Sequence, residues 1–208
     1  MNYINDLIRR YPILKKNEKE LNQALEILIN TVNNKGTIYA CGNGGSFSDS
    51  QHLAGELLKS FNKKRPVLDE QKEKLISMFN DQGKFLADKL ERGISATALG
   101  CHDAYLTAFA NDVDADLIFA QELFARANKN DTLLCLSSSG NSKNVKYAAM
   151  VAQFFGIKVI LLSGKSVGTI AEYSDCSIHV DEYETYKIQE LSLPIYHALC
   201  LALEDNRF

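Results

Sequence analysis

Short apolar runs alternate with helix-length segments along most of this chain, and that alternation leaves few folds open. Residues 37–41, 94–99, 132–136, 158–162 and 176–180 read as strands, and they are apolar throughout. A strand covered on both faces needs that pattern, whereas a strand with one wet face alternates. Residues 2–34 read as helix, closed by the Asn33-Asn34-Lys35-Gly36 stop signal. Further helices are expected over about 48–61, 103–110, 114–128, from the serine-rich loop to about 155, and 186–204;. Strands alternating with helices at this spacing imply an α/β fold: a parallel sheet with helices on both faces. No internal repeat or low-complexity segment appears, so one domain over 1–208 is expected. The charged stretch 62–92 carries Leu75, Phe79, Leu86 and Leu90 at roughly helical spacing and reads as one or two partly exposed amphipathic helices;.

Composition excludes several function classes. The net charge is −3 and the pI is about 5.8, which argues against a nucleic-acid scaffold;. No apolar run approaches the ~18–20 residues that cross a bilayer, and no apolar stretch follows the early charges as in a signal peptide;. The chain is therefore expected in the cytoplasm, without membrane or nucleic-acid partners. Cys41, Cys101, Cys135, Cys176 and Cys200 are scattered and form no CxxC pair, so reduced, buried thiols are expected;.

In open parallel sheets, ligands bind beyond the carboxyl ends of the strands. Two strand ends here carry unusual loops. Gly42-Asn43-Gly44-Gly45-Ser46 follows the first strand. Its glycines serve either close approach of a ligand or backbone, or a tight turn. It lacks the last glycine of a dinucleotide fingerprint, and no helix-opening context is expected to rescue it. Ser137-Ser138-Ser139-Gly140-Asn141-Ser142 follows the third strand. Its hydroxyls and free N–H groups at a helix start suit a phosphate or phosphosugar, beyond the one serine that a plain N-cap needs. No GxxxxGK[ST] pattern is present, so a nucleoside triphosphate is not expected;.

His52 and Glu56 stand four apart, one helical turn along the same face, which suits a metal site, an acid/base pair or an ordinary surface pair;. Gln189 and His197 lie eight apart on the last helix, about 12 Å on a straight axis;. They reach a common ion only through a bend at Pro194, or with one residue supplied by a neighbouring subunit. Alone, His197 reads more readily as a satisfied core histidine than as a ligand.

The loop GNGGS, His52-x-x-x-Glu56, Asn111-Asp112, SSSGNSKN and Ile188-Gln189-Glu190 with His197 occur in one order. In this the chain resembles the SIS (sugar isomerase) fold and, within it, the phosphoheptose (sedoheptulose 7-phosphate) isomerases, over roughly 15–61 and 94–205. The resemblance implies a five-stranded sheet in flavodoxin-like order behind an N-terminal helix pair. It implies conversion of sedoheptulose 7-phosphate to D-glycero-D-manno-heptose 7-phosphate, a precursor for lipopolysaccharide or capsule. Asn43, Gly44, Gly45, Asn111, Asp112, Ser137, Ser138, Ser139, Ser142 and Gln189 would contact the substrate. His52, Glu56, Gln189 and His197 match the family's ligands for one Zn²⁺ per subunit. Glu56 and His197 match its catalytic acid/base pair. Homotetramers with sites between subunits are also implied.

The chain departs from the family pattern in several places. Residues 66–92 stand as a helical insertion, read either as a surface elaboration or as a lid or subunit contact. Lys63, Lys64 and Arg65 just before it read as a solvated run or as groups steering an anionic substrate;. Cys101-His102-Asp103, Gln121 and Ser192 stand where relatives carry Thr-Asp-Thr-like residues, an arginine and a histidine. These leave open an isomerase of another ketose phosphate. A non-catalytic SIS protein that senses phosphosugars or binds a protein such as a replication initiator is the rival from another class. Retention of all four proposed zinc ligands favours the enzyme.

Overall fold

A computed structural model describes residues 2–208. Strands β1 (Ile38–Gly42), β2 (Ala96–Ala98), β3 (Thr132–Leu136), β4 (Lys158–Ser163) and β5 (Cys176–His179) form one sheet in the order β2-β1-β3-β4-β5, parallel throughout. Flavodoxin-like order, expected from the resemblance, is thus present. The helices are α1 (Tyr3–Arg10), α2 (Glu18–Asn33), α3 (Gly45–Leu58), α4 (Asp69–Lys89), α5 (Asp103–Phe109), α6 (Ile118–Arg126), α7 (Lys143–Phe154) and α8 (Thr185–Arg207).

The apolar strands place side chains on both faces alternately. Leu134, Leu136, Ile160 and Leu162 join a core with α1, α2, α3 and α8. Leu133, Cys135, Val159 and Leu161 join a second core with α6 and α7. All five residues of β3 are buried. Four of the five cysteines are buried filler in these layers; Cys101 is exposed. Among the described residues, no helix is long and apolar enough to cross a membrane.

Two expected elements differ. The single helix over 2–34 is broken at Pro12, where a 3₁₀ turn, Pro12–Asn17, separates α1 from α2. Proline lacks the N–H that would continue the first helix and suits the start of the next turn. The helix expected over 114–128 begins as a π-turn, Ala110–Asp114, and a 3₁₀ turn before α6. Asp114 makes that break, because its side chain accepts from the Asp116 N–H at 2.8 Å;.

The segment expected as one or two amphipathic helices is a helical hairpin. Asn80 takes φ +51° in the middle of α4 and reverses the chain. A Cβ on Gly83 would lie 1.9 Å from the Leu75 carbonyl oxygen, so the two arms touch backbone to backbone and require glycine there;. The hairpin's feet close through an antiparallel bridge between Pro66 and Glu91 and an Arg92 N–H donated to the Arg65 carbonyl at 2.7 Å.

Candidate active site

Strands β1 and β3 lie side by side with Gly42 opposite Leu136, so the glycine and serine loops emerge together. Strand order reverses at this pair, because β2 follows on one side and β4 on the other;. The two loops are tied by a reciprocal amide pair. Asn43 donates to Asn144 Oδ1 and Asn144 donates to Asn43 Oδ1, both at 2.9 Å. Asn144 was not singled out from the sequence; its only signal was its place in SSSGNSKN. A cleft of about 190 Å³ opens beside the first loop, lined by Gly42, Asn43, Gly44, Phe47, Gly100 and Phe119.

The serine loop is built for more than capping. Ser142 is the N-cap of α7, yet its hydroxyl makes no cap hydrogen bond and lies 3.3 Å from the Ser137 hydroxyl. Ser139 accepts from the Asn141 N–H at 3.2 Å, and the Ser138 carbonyl accepts from the Gly164 N–H at 3.1 Å. Asn141 in turn accepts from the Thr169 N–H at 2.9 Å, which pins the loop to the segment after β4.

The glycine loop corrects one expectation. A helix does open there: α3 starts at Gly45, earlier than the expected residue 48, with Gly44 at φ +56° as its N-cap. The cause is tertiary. A Cβ on Gly45 would stand 2.7–2.8 Å from the Gln189 side-chain amide, so glycine lets α8 press that amide onto the first turn of α3.

From there α3 and α8 run together. The His52 and His197 rings are 5.1 Å apart between centroids and nearly perpendicular. His52 Nε2 lies 3.2 Å from Glu56 Oε1, and Lys59 Nζ lies 3.3 Å from Glu56 Oε2. His52 Nδ1 lies 2.9 Å from the Tyr196 hydroxyl. His197 Nε2 is buried without a hydrogen-bond partner. Burial lowers the His197 pKa below its ordinary value, the neighbouring His52 lowers it further, and Glu56 opposes both.

These contacts bring His52, Glu56 and His197 together within one chain. Gln189 sits about two turns away over Gly45 and belongs with the glycine loop;. Helix α8 continues through Pro194 from Thr185 to Arg207 and does not divide there to bring Gln189 and His197 to one point. Among the described residues, no three His, Cys, Asp or Glu side chains are grouped closely enough to hold a metal ion. The donors still suit zinc in kind: two imidazoles, a carboxylate and an amide, with one imidazole nitrogen buried and unpaired;. Asn111 and Asp112 lie on the exposed π-turn after α5, hydrogen-bonded to each other at 2.9 Å. Among the described residues, neither hydrogen-bonds to another candidate site residue.

The basic run Lys63-Lys64-Arg65 does not behave as free steering charge. Arg65 is fully buried and pairs with Glu204 at 2.8 Å, while Lys63 pairs with Asp205. Neither is a free steering charge. At the end of β2, the buried Glu122 carboxylate accepts from the Gly100 N–H at 2.7 Å and faces His102 Nδ1 at 3.1 Å and Arg126 Nε at 3.4 Å.

Comparison with known proteins agrees with this layout. SIS domain models match residues 2–91 and 95–202. The five strands of both ranges lie in one sheet. A phosphoheptose isomerase of Helicobacter pylori (strain P12) is 36% identical over 98% of this chain and 97% of its own length. One from Thiobacillus denitrificans is 35% identical over 89% and 82%. The solved phosphoheptose isomerase GmhA from Neisseria gonorrhoeae superposes with a TM-score of 0.75 at 29% identity, over 97% of this chain and 94% of that one. A Francisella tularensis phosphoheptose isomerase gives 0.73 at 27% identity, over 90% and 86%.

Proposed function

The chain belongs to the SIS family of phosphoheptose isomerases, and we infer from that membership and from its site that it converts sedoheptulose 7-phosphate to D-glycero-D-manno-heptose 7-phosphate. The product is a precursor for heptose synthesis, supplied to lipopolysaccharide or capsule. The observation that carries the chemical reading is the grouping of His52, Glu56 and His197 where α3 packs on α8, behind two loops at the sheet's switch point.

Aldose–ketose isomerisation moves a proton between C1 and C2 and exchanges protons on the two oxygens. Glu56 takes the proton from C1, and His197 gives and receives the proton at the sugar oxygens. Burial, which lowers the His197 pKa, favours the neutral imidazole, the form that can accept a proton;. Ser137, Ser138, Ser139 and Ser142 hold the phosphate with hydroxyls and backbone N–H groups. Asn43, Gly44, Gly45 and Gln189 bind the sugar, and Asn111 and Asp112 line its approach. His52, Glu56 and His197 would hold one Zn²⁺ together with a Gln189 supplied by a neighbouring subunit, and the ion when bound would supply a Lewis acid at the carbonyl. The buried, unpaired Nε2 of His197 supports that assignment.

Assembly as a homotetramer in the cytoplasm completes the proposal. The apolar side chains left exposed, Phe154 at 74% and Phe85 at 63%, support subunit contacts;. The experiment is incubation with sedoheptulose 7-phosphate, with and without zinc, followed by sugar-phosphate NMR. Heptose 7-phosphate is expected, and its absence under both conditions contradicts the assignment.

A further inference from the structure

The hairpin α4 buries little of itself. Its arms, 69–79 and 81–89, meet at Asn80, and each is shorter than the ~12–15 residues at which isolated helices hold in water;. Only Gly83 and Ala87 are buried along it, and the arms touch backbone to backbone where Gly83 meets Leu75. The ion pair between the arms, Lys72 with Asp88 at 3.6 Å, is half exposed and adds little;.

The segment instead displays apolar surface. Leu68, Met78, Phe79, Phe85, Leu86 and Leu90 are six of the seventeen large apolar side chains exposed among the described residues. Met78 and Leu90 line a groove of about 500 Å³, together with Val67 and Leu75, and Lys74 and Arg92 stand at its rim. Phe85 is 63% exposed on the other arm and does not line that groove. One element thus carries both an apolar groove and an apolar knob.

Three observations select the occupant. A groove and a knob on one element are self-complementary about a two-fold axis, because each copy offers the knob that the other receives, and the contact closes at two. Residues 69–92 hold six acidic and five basic side chains, so two hairpins meet near charge balance although the whole chain carries −3;. Six half-exposed side chains of this size offer on the order of 600 Å² per copy. A pair then buries on the order of 1,200 Å², above the ~1,000 Å² of a specific contact and at the weak end of that class.

We propose that α4 is a self-association surface: two copies of this chain pair hairpin to hairpin about a two-fold axis, with Phe85 of each in the groove between Leu75, Met78 and Leu90 of the other. The inference rests on the reading that copies of the chain assemble, and it names a surface that they use. Pairing of this strength is lost on dilution, so dilute protein melts with its hairpin free.

The test is the mass by sedimentation velocity of wild type and of the double variant Met78→Glu with Phe85→Glu, across about a hundredfold range of concentration. Both positions are exposed and outside the two cores, so both proteins are expected to melt cooperatively. At high concentration the variant is expected to show about half the wild-type mass, and on dilution the wild type should fall to the variant's value. A second measurement does not depend on the variant: lysine cross-linking of mixed ¹⁴N- and ¹⁵N-labelled wild type should give mixed-isotope peptides that join Lys74 to Lys84. An assembled wild type whose mass the double variant keeps overturns hairpin pairing, as does cross-linked wild type without the mixed-isotope link, and either leaves assembly through another surface standing. A wild type that is monomeric throughout overturns the assembly reading itself, and the pairing with it.

Discussion

Arg65 and Glu204 are joined by an ion pair at 2.8 Å with side chains 0% and 1% exposed. Arg65 also donates to the Leu57 carbonyl at 2.7 Å and the Glu56 carbonyl at 3.2 Å. Glu204 accepts from the backbone N–H groups of Phe61, Asn62 and Lys63 at 2.8–3.0 Å. The pair therefore fastens the end of α3, which carries Glu56, to the end of α8, beyond His197. Removing one partner strands a buried charge, which typically costs about 3–5 kcal/mol. Arg65→Met is expected to lose that much in urea denaturation, and adding Glu204→Leu to recover little of it, because the N–H groups of Phe61, Asn62 and Lys63 then lose their acceptor;. A single-variant loss below about 1 kcal/mol would contradict the role.

The same carboxyl sets a pH dependence. Burial pushes the Glu204 pKa up, but the N–H donors of Phe61, Asn62 and Lys63 and the Arg65 guanidinium outweigh it, and the result lies below the ordinary 4.5. The unfolded chain then binds the proton more readily than the folded one. The contribution is full above pH 4.5 and is lost as pH falls through the lower folded value;. Thermal melts of wild type and Glu204→Gln should converge as pH falls below 4.5, and a constant gap would contradict the assignment.

Gly45 should be intolerant of a methyl group for a local reason. The added Cβ meets the Gln189 amide at 2.7–2.8 Å, and that amide ends a flexible side chain that can swing away. Gly45→Ala is therefore expected to fold with a stability change within about 1 kcal/mol, because a surface-accessible side chain absorbs the clash. Turnover should drop by roughly tenfold or more, the factor that about 1.4 kcal/mol of misplaced binding represents. Normal kcat/KM in this variant would separate Gln189 from the site.

The hairpin stands apart from the two cores. Gly83 and Ala87 are its only residues buried along α4, and its feet close on each other at Pro66 and Glu91. Replacing 69–89 by a short glycine-serine link should leave a cooperatively folding chain, with a midpoint shift under about 4 °C. Loss of cooperative unfolding would show that the hairpin supports the core.

Some of this was legible in the chain and some was not. Apolar runs such as 132–136 announced buried parallel strands, because a two-sided sheet leaves no polar alternation;. The His52–Glu56 pair was readable because one helical turn sets their spacing;. The fate of Arg65 was not. A Lys-Lys-Arg run looks solvated, and only the arrival of Glu204 from 139 residues away buries one member of it. Asn144 and Tyr196 were equally silent, since each gains its meaning from a partner on another element, Asn43 in one case and His52 in the other. From spacing alone, Gln189 and His197 reach one ion through a bend at Pro194 or across subunits; within this chain each meets a different turn of α3.

The most direct measurement of the central claim is the reaction run in D₂O, with product deuterium read by NMR. Proton transfer through Glu56 exchanges with solvent, so heptose 7-phosphate formed by the wild type is expected to carry deuterium at C2. Glu56→Gln should form no product at a comparable rate while still binding the sugar phosphate within a few-fold. Product without deuterium, or near-normal turnover by Glu56→Gln, would contradict the account.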